Sequence, residues 1–215
     1  MSEMVKVVVD AMGGDNAPEE PVKAAVEAVK EKENIQVILT GVQDVIEAEL
    51  RKYPDYPKDR IRVVHASQVI ETAEPPVMAI QKKKDSSIVV GLNLVKKQEA
   101  DAFVSSGSTG AVLVGGQVIV GRIKGIRRPP LAPLIPTAKG VSLLIDCGAN
   151  VDARPDHLVQ FAQMGSIYME NVVGIKKPRV AIVNNGAEEE KGNALVKATF
   201  PLLKACKDIN FIGSI

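Results

Sequence analysis

Residues 103–119, FVSSGSTGAVLVGGQVI, run from a short apolar strand through a Ser/Thr/Gly turn straight into a helix-like segment. A strand handing over to a helix within a few residues is the building unit of a parallel α/β sheet, since parallel neighbours must be joined by a crossover on the sheet face. The same turn is suited to an anion. Gly107 and Gly110 allow close backbone approach, Ser105, Ser106, Ser108 and Thr109 supply hydroxyls, and the first helical turn presents unpaired N–H groups at its positive end. The alternative is that Ser108 or Thr109 only caps the helix.

The pattern recurs along the chain. The β-branched run at 5–9 predicts a buried parallel strand that ends in DAMGGD, residues 10–15, and enters a helix at 18–32 with Val22, Ala25, Val26 and Val29 on one face. Strands follow at 35–40 and 61–65 and helices at 42–52, 77–84 and 86–98, giving a doubly wound, mostly parallel sheet. The runs 131–137 and 141–146 around Lys139-Gly140 predict an antiparallel hairpin. Beyond them come a helix at 155–172, a strand at 179–183, a helix at 192–205 and a strand at 209–212. No Pro/Gly/Ser linker divides the 215 residues, so one continuous unit, 1–215, is expected.

Polar groups gather at three strand ends: Asp10, Gly13, Gly14 and Asp15 in the first loop, 105–110 in the second, and Asp146 to Asp152 in the third. Open α/β sheets bind ligands beyond those ends, so the three loops are expected to converge on one cleft. The first lacks G-x-G-x-x-G, and its acids would repel a pyrophosphate, which argues against a dinucleotide. Lys191, just ahead of the penultimate helix, is placed to hold an anion with helix N–H groups. Arg122, Lys124, Arg127 and Arg128 form a basic cluster behind the second loop. His65 and His157 have no evident catalytic partner in the sequence and read as structural.

A net charge of +1 and only 3% aromatic residues give no electrostatic pull toward nucleic acid and no stacking platform. The N-terminus lacks the basic start and apolar core of a secretory signal. The most apolar helix, 112–120, is interrupted by Gly115, Gly116 and Gln117, far short of the roughly 20 apolar residues of a membrane span. Cys147 and Cys206 suggest neither a metal site nor a disulfide framework, which fits a reducing cytoplasm. Cys147 reads as a small buried thiol packed as a hydrophobe, in preference to an acyl-carrying nucleophile.

Several stretches together resemble the PlsX phosphate acyltransferase family, the bacterial acyl-(acyl-carrier-protein):phosphate transacylases. They are VDAMGGDNAP at 9–18, SSGSTGA at 105–111, RRPPLAP at 127–133, IDCGANVD at 145–152, FAQMGSIYM at 161–169 and PRVAIVNNGAEEEKGN at 178–193. Ser108 stands where the family usually has Asn, and Cys147 where it usually has Leu. The resemblance implies a three-layer α/β/α sandwich like that of isocitrate and isopropylmalate dehydrogenases. It also implies that inorganic phosphate attacks the thioester of a long-chain acyl carrier protein. Family members are longer, and a further C-terminal part would carry more strands, a second site loop and much of a homodimer and peripheral membrane surface.

Such chemistry needs positioning and charge stabilisation more than a strong base. Ser106, Gly107, Ser108, Thr109 and Gly110 are expected to hold phosphate, with Lys191 and Arg128 neutralising it. Asn150 or Asn184 would donate to the thioester oxygen. Asp10, Asp15 and Asp146, with Gly13 and Gly14, would orient loops, and Arg122, Lys124 and Arg127 would dock the acidic carrier. No cofactor and no metal are expected. The other readings are a phosphate acetyltransferase-like enzyme using acyl-CoA, a dehydrogenase, for which no nicotinamide site is found, and a non-catalytic module binding phosphate or carrier protein.

Overall fold

The structure is a computed structural model and describes residues 3–189 and 191–215. Where the absence of a linker suggests one unit, the chain divides into two compact units, Met1–Arg122 and Ile123–Ile215.

The first unit is a four-stranded parallel sheet with helices on both faces. Its elements are β1 (Val5–Asp10), α1 (Glu19–Glu31), β2 (Ile35–Gly41), α2 (Gln43–Leu50), β3 (Ile61–His65), α3 (Pro76–Lys82), α4 (Ser87–Lys96), β4 (Ala102–Val104) and α5 (Thr109–Gly115), whose helical run continues as one π turn over Gly116–Val120. The strand order is β3-β2-β1-β4. Side chains alternate across β2 as a period of two requires. Val37 and Leu39 enter a core with Val22, Val26 and Val29 of α1 and Ile46 of α2, while Ile38 turns to the other face and joins Val8 and Leu94 of α4. Both faces of β1 and β2 are thus covered, which a parallel sheet of this composition demands.

The strand order decides where a ligand can sit. The chain steps outward from β1 to β2 to β3, then returns through α3 and α4 to place β4 on the opposite side of β1. Connections leaving β1 and β4 therefore diverge onto opposite faces: α1 packs on one, while α5 joins Ile80, Ile88 and Leu92 of α3 and α4 on the other. The carboxyl ends of these two strands are the switch point of the sheet, where open α/β folds take their ligands.

The second unit begins with an antiparallel hairpin, β5 (Leu134–Thr137) and β6 (Gly140–Leu143), paired Thr137 to Gly140. Gly140 has φ 129°, a conformation that the tight connection needs and a side chain would resist. The sequence run to 146 overshoots the strand, because residues beyond Leu143 leave the hairpin for the Asp146 loop. Next come α6 (Pro155–Asn171), β7 (Arg179–Ile182), α7 (Ala194–Ala205) and β8 (Asn210–Ser214), with β7 and β8 parallel. Ala162, Ile182, Phe200 and Leu203 form the core here, and Phe200 meets Phe211 edge to face at 5.2 Å. α7 starts two residues later than its apolar pattern suggests. Asn193 is its cap, accepting from the Val196 amide at 2.9 Å, and Gly192 before it has φ 104°.

Candidate functional site

The register Val9 to Val104 makes Asp10 and Ser105 the next residues along two hydrogen-bonded strands. Asp10 is 1% exposed, and its carboxylate takes one donor on each oxygen. The Met12 amide donates to Oδ1 at 3.1 Å and the Ser105 hydroxyl donates to Oδ2 at 2.7 Å. Ser105 Oγ in turn accepts the Gly107 amide at 3.0 Å. The first loop is thereby bonded to the second through Asp10 and Ser105.

Contact between the loops is close enough to exclude side chains at the glycines. A Cβ at Gly13 would lie 2.4 Å from Asp10 Oδ2 and 2.8 Å from the Gly107 nitrogen, and one at Gly107 would lie 3.1 Å from the Gly13 Cα. Gly14 has φ 100° and faces Ser106. Asp10, Gly13, Gly14, Asp15, Ser105 and Ser106 border a cleft of about 670 Å³ whose walls are largely Val and Ala side chains.

The hydroxyls of the 105–110 turn do different jobs. Ser108, 3% exposed, caps α5 by accepting the Ala111 amide at 3.3 Å, so its oxygen is occupied as the capping alternative requires. Ser106 and Thr109 are exposed. The amides of Thr109 and Gly110, in the first turn, have no carbonyl of their own helix to bond. The Gly107 amide points instead at Ser105. A Cβ at Gly110 would sit 2.5 Å from Pro76, so that glycine also sets how closely α5 packs on α3.

Within the second unit, Asp146 organises the loop after β6. Its carboxylate accepts the amides of Leu131 at 2.6 Å, Ala149 at 3.3 Å and Asn150 at 2.7 Å. The Asn150 side-chain amide donates to the Pro129 carbonyl at 3.1 Å and to Asp146 at 3.3 Å, so it is used inside its own loop. Asn184 behaves alike, donating to the Lys191 carbonyl at 3.2 Å while accepting the Asn185 amide at 2.9 Å. Asp146 and Asn150 also contribute to a cavity of about 930 Å³, which is otherwise lined mainly by apolar side chains such as Leu143, Phe161 and Met169.

The cations are less free than the sequence suggests. Lys191 Nζ binds Glu188 at 2.9 Å, both half exposed, and this hydrogen bond, with the loop backbone, holds the Glu188 carboxyl below its usual range. Arg127 pairs with Asp156 in the first turn of α6, and its amide donates to Gln160 at 3.0 Å. Lys124 and Arg128 are exposed. His157 is buried at 1%, accepting the Arg154 amide on Nδ1 at 3.2 Å. Burial, reinforced by the charges of Arg154, Arg128 and Arg127, keeps its pKa below 6.5. His65 accepts the Gln43 amide at 3.3 Å. Both histidines serve local structure. Cys147 is exposed, which corrects its reading as a buried packing residue: the chain leaves β6 for a surface loop before it reaches the thiol.

Among the described residues no cluster of three or more His, Cys, Asp or Glu is placed to hold a metal, and no helix is long and apolar enough to cross a membrane. Residues 5–215 match the family described as fatty acid synthesis protein.

The chain belongs to that family.

Among the family's relatives, a phosphate acyltransferase of Clostridium botulinum (strain Alaska E43 / Type E3) is 53% identical over 211 residues, covering 98% of this chain and 63% of the relative. A phosphate acyltransferase of Alkaliphilus oremlandii is 55% identical over 213 residues, covering 98% and 62%. This family member therefore spans a little under two thirds of the length of those relatives. A phosphotransacetylase from Streptococcus pyogenes superposes with a TM-score of 0.73 over 99% of this chain and 68% of its own, at 18% identity, which establishes a shared α/β fold.

Sequence reasoning named the residues of the first and second loops but not the bond between them. The Asp10 to Ser105 contact becomes legible only when β1 and β4 are known to be neighbours, since 95 residues separate the two. Its sequence signal is slight: Asp10 ends the Val-rich strand β1, and Ser105 directly follows the short apolar strand β4.

Proposed function

We propose that this chain belongs to an enzyme that transfers a long-chain acyl group from acyl carrier protein to inorganic phosphate, releasing acyl phosphate for phospholipid synthesis. The observation that carries the proposal is the meeting of the Gly/Asp loop 10–15 and the Gly/Ser loop 105–110 at the switch point between β1 and β4, bonded to each other through Asp10 and Ser105. The names of the phosphate acyltransferase relatives supply the chemistry.

Phosphate is held in this reading by the Ser106 and Thr109 hydroxyls and by the amides that open α5. Ser108 and Gly107 shape the turn, and Gly110 lets it approach. Lys191 and Arg128 neutralise the anion, Lys191 by exchanging its Glu188 partner. A phosphate oxygen attacks the thioester carbonyl, the carbonyl oxygen gains charge, and Asn150 or Asn184 donates to it after giving up a loop contact. The C–S bond then breaks, and the thiolate takes up the proton lost by hydrogen phosphate. Phosphate is nucleophilic at neutral pH, so no cofactor enters, and orientation supplies most of the rate.

The acidic carrier docks on Lys124, Arg122 and Arg127 in the same proposal, with Arg127 anchored by Asp156. A cytoplasmic homodimer with peripheral membrane contact, and a three-layer sandwich of the isocitrate and isopropylmalate dehydrogenase type, complete the picture. The likeness to a phosphotransacetylase favours one second reading, in which acyl-CoA is the donor. Purified protein is mixed with phosphate and either long-chain acyl carrier protein or acyl-CoA, and acyl phosphate is trapped with hydroxylamine. Product from the carrier thioester supports the proposal. Product from acyl-CoA alone selects the second reading, and phosphate that neither binds nor reacts defeats both.

A further inference from the structure

We infer that Asp10 and Ser105 act as one positioning pair that gives the 105–110 turn its anion-ready shape while taking no part in anion contact themselves. The inference rests on the proposed phosphate site and adds a role for two residues that the chemistry alone would assign differently. By composition Ser105 is a phosphate ligand, and by charge Asp10 is a liability beside an anion.

The geometry assigns otherwise. Ser105 spends its single hydroxyl proton on Asp10 Oδ2 at 2.7 Å, leaving only lone pairs, one of which takes the Gly107 amide at 3.0 Å. An oxygen with no proton to give repels phosphate, so Ser105 faces inward and Ser106 faces outward. With its other oxygen on the Met12 amide at 3.1 Å, Asp10 has both oxygens engaged, and at 1% exposure it has no solvent to replace a lost donor. A buried carboxylate is a strong acceptor. It fixes which way Ser105 points, Ser105 fixes the Gly107 amide, and the amides of Thr109 and Gly110 that follow open α5 with no carbonyl of their own helix to bond. Gly13 is itself buried, and a Cβ there would strike all three groups.

The sign of one substitution separates positioning from plain electrostatics. Asp10→Asn removes a negative charge close to the anion, so electrostatics alone predicts tighter phosphate binding. An amide has one acceptor oxygen and cannot satisfy both the Met12 N–H and the Ser105 O–H, so the pair predicts weaker binding. The full chain and its Asp10→Asn, Ser105→Ala, Ser105→Thr and Asp10→Asn/Ser105→Ala variants are titrated with inorganic phosphate by calorimetry. Hydrogen exchange at the Gly107 amide and the melting temperature are followed in parallel. Asp10→Asn and Ser105→Ala each weaken binding by roughly tenfold, the scale of one charge-assisted hydrogen bond. The double variant is no worse than the poorer single, because both break the same unit, and Ser105→Thr restores affinity by restoring the hydroxyl.

Gly107 exchange accelerates in Ser105→Ala and Asp10→Asn alike. Tighter or unchanged binding in Asp10→Asn, additive losses in the double variant, or Gly107 protection that survives both single changes overturns the inference. If the parent chain binds no phosphate, the proposed function falls, and the Gly107 exchange rates alone decide whether the pair shapes the turn.

Discussion

Replacing Gly13 by Ala tests the loop junction by packing rather than by charge. The added methyl would meet Asp10 Oδ2 at 2.4 Å, the Gly107 nitrogen at 2.8 Å and Ser105 Oγ at 2.9 Å. None of these is the end of a flexible side chain that can swing aside. One is a buried carboxylate with both oxygens bonded, one is backbone, and one is a hydroxyl held from two sides. Overpacking of this kind costs about 1–3 kcal/mol, and displacing Asp10 from Ser105 adds about 1–2 kcal/mol for a buried bond left unmade. The sum, roughly 3 kcal/mol, lowers the melting temperature of the first unit by about 10 °C. Gly116→Ala is the control. Gly116 is helical at φ −55° and ψ −44°, and beyond its chain neighbours and its own helix backbone nothing lies within 4 Å of the place its new methyl would take, so the same chemical change there stabilises by roughly 0.5–1 kcal/mol. Urea unfolding followed by circular dichroism, with m-values compared, reads both. A Gly13→Ala protein that unfolds within about 0.5 kcal/mol of the parent would refute the close junction of the two loops.

Three further outcomes follow from the same geometry. His157 is held neutral by burial and by three arginines, so its folded pKa lies below the unfolded value of 6.5. The unfolded chain then binds more protons between the two values, and the stabilisation present above 6.5 is lost as pH falls through that window. Urea midpoints that decline below pH 6.5 in the parent and flatten in His157→Gln confirm this, whereas identical profiles exclude it. Lys191→Ala lowers phosphate-dependent transacylation by about tenfold with the fold intact, and Glu188→Gln, which frees the ammonium, does not; unchanged phosphate saturation in Lys191→Ala would make that lysine only a partner of Glu188. Charge reversal at Arg122 and Lys124 weakens carrier-protein binding at low salt and has little effect at high salt, as measured by titration over a salt series. Affinity indifferent to both mutation and salt would place docking elsewhere.

The strands and helices of this chain are written locally. β-branched runs at 5–9, 35–40 and 61–65 and apolar faces such as Val22, Val26 and Val29 specify them because side-chain periodicity is a property of neighbours in sequence. The polar loops at strand ends and the hairpin around Lys139 and Gly140 were legible for the same reason. Strand order was not. That β4 lies against β1, and not beyond β3, depends on which faces α3 and α4 cover, a packing outcome that no local window contains. Everything particular to the junction follows from that order: the pairing of Asp10 with Ser105, the inward turn of one serine and the outward turn of the next, and the need for no side chain at Gly13. The surface position of Cys147 and the engagement of Arg127, Asn150, Asn184 and Lys191 with their own loops were hidden likewise. Sequence determines which residues carry hydroxyls, amides and charge, whereas only the folded backbone decides which of those groups are already spent on one another and which are left facing a ligand.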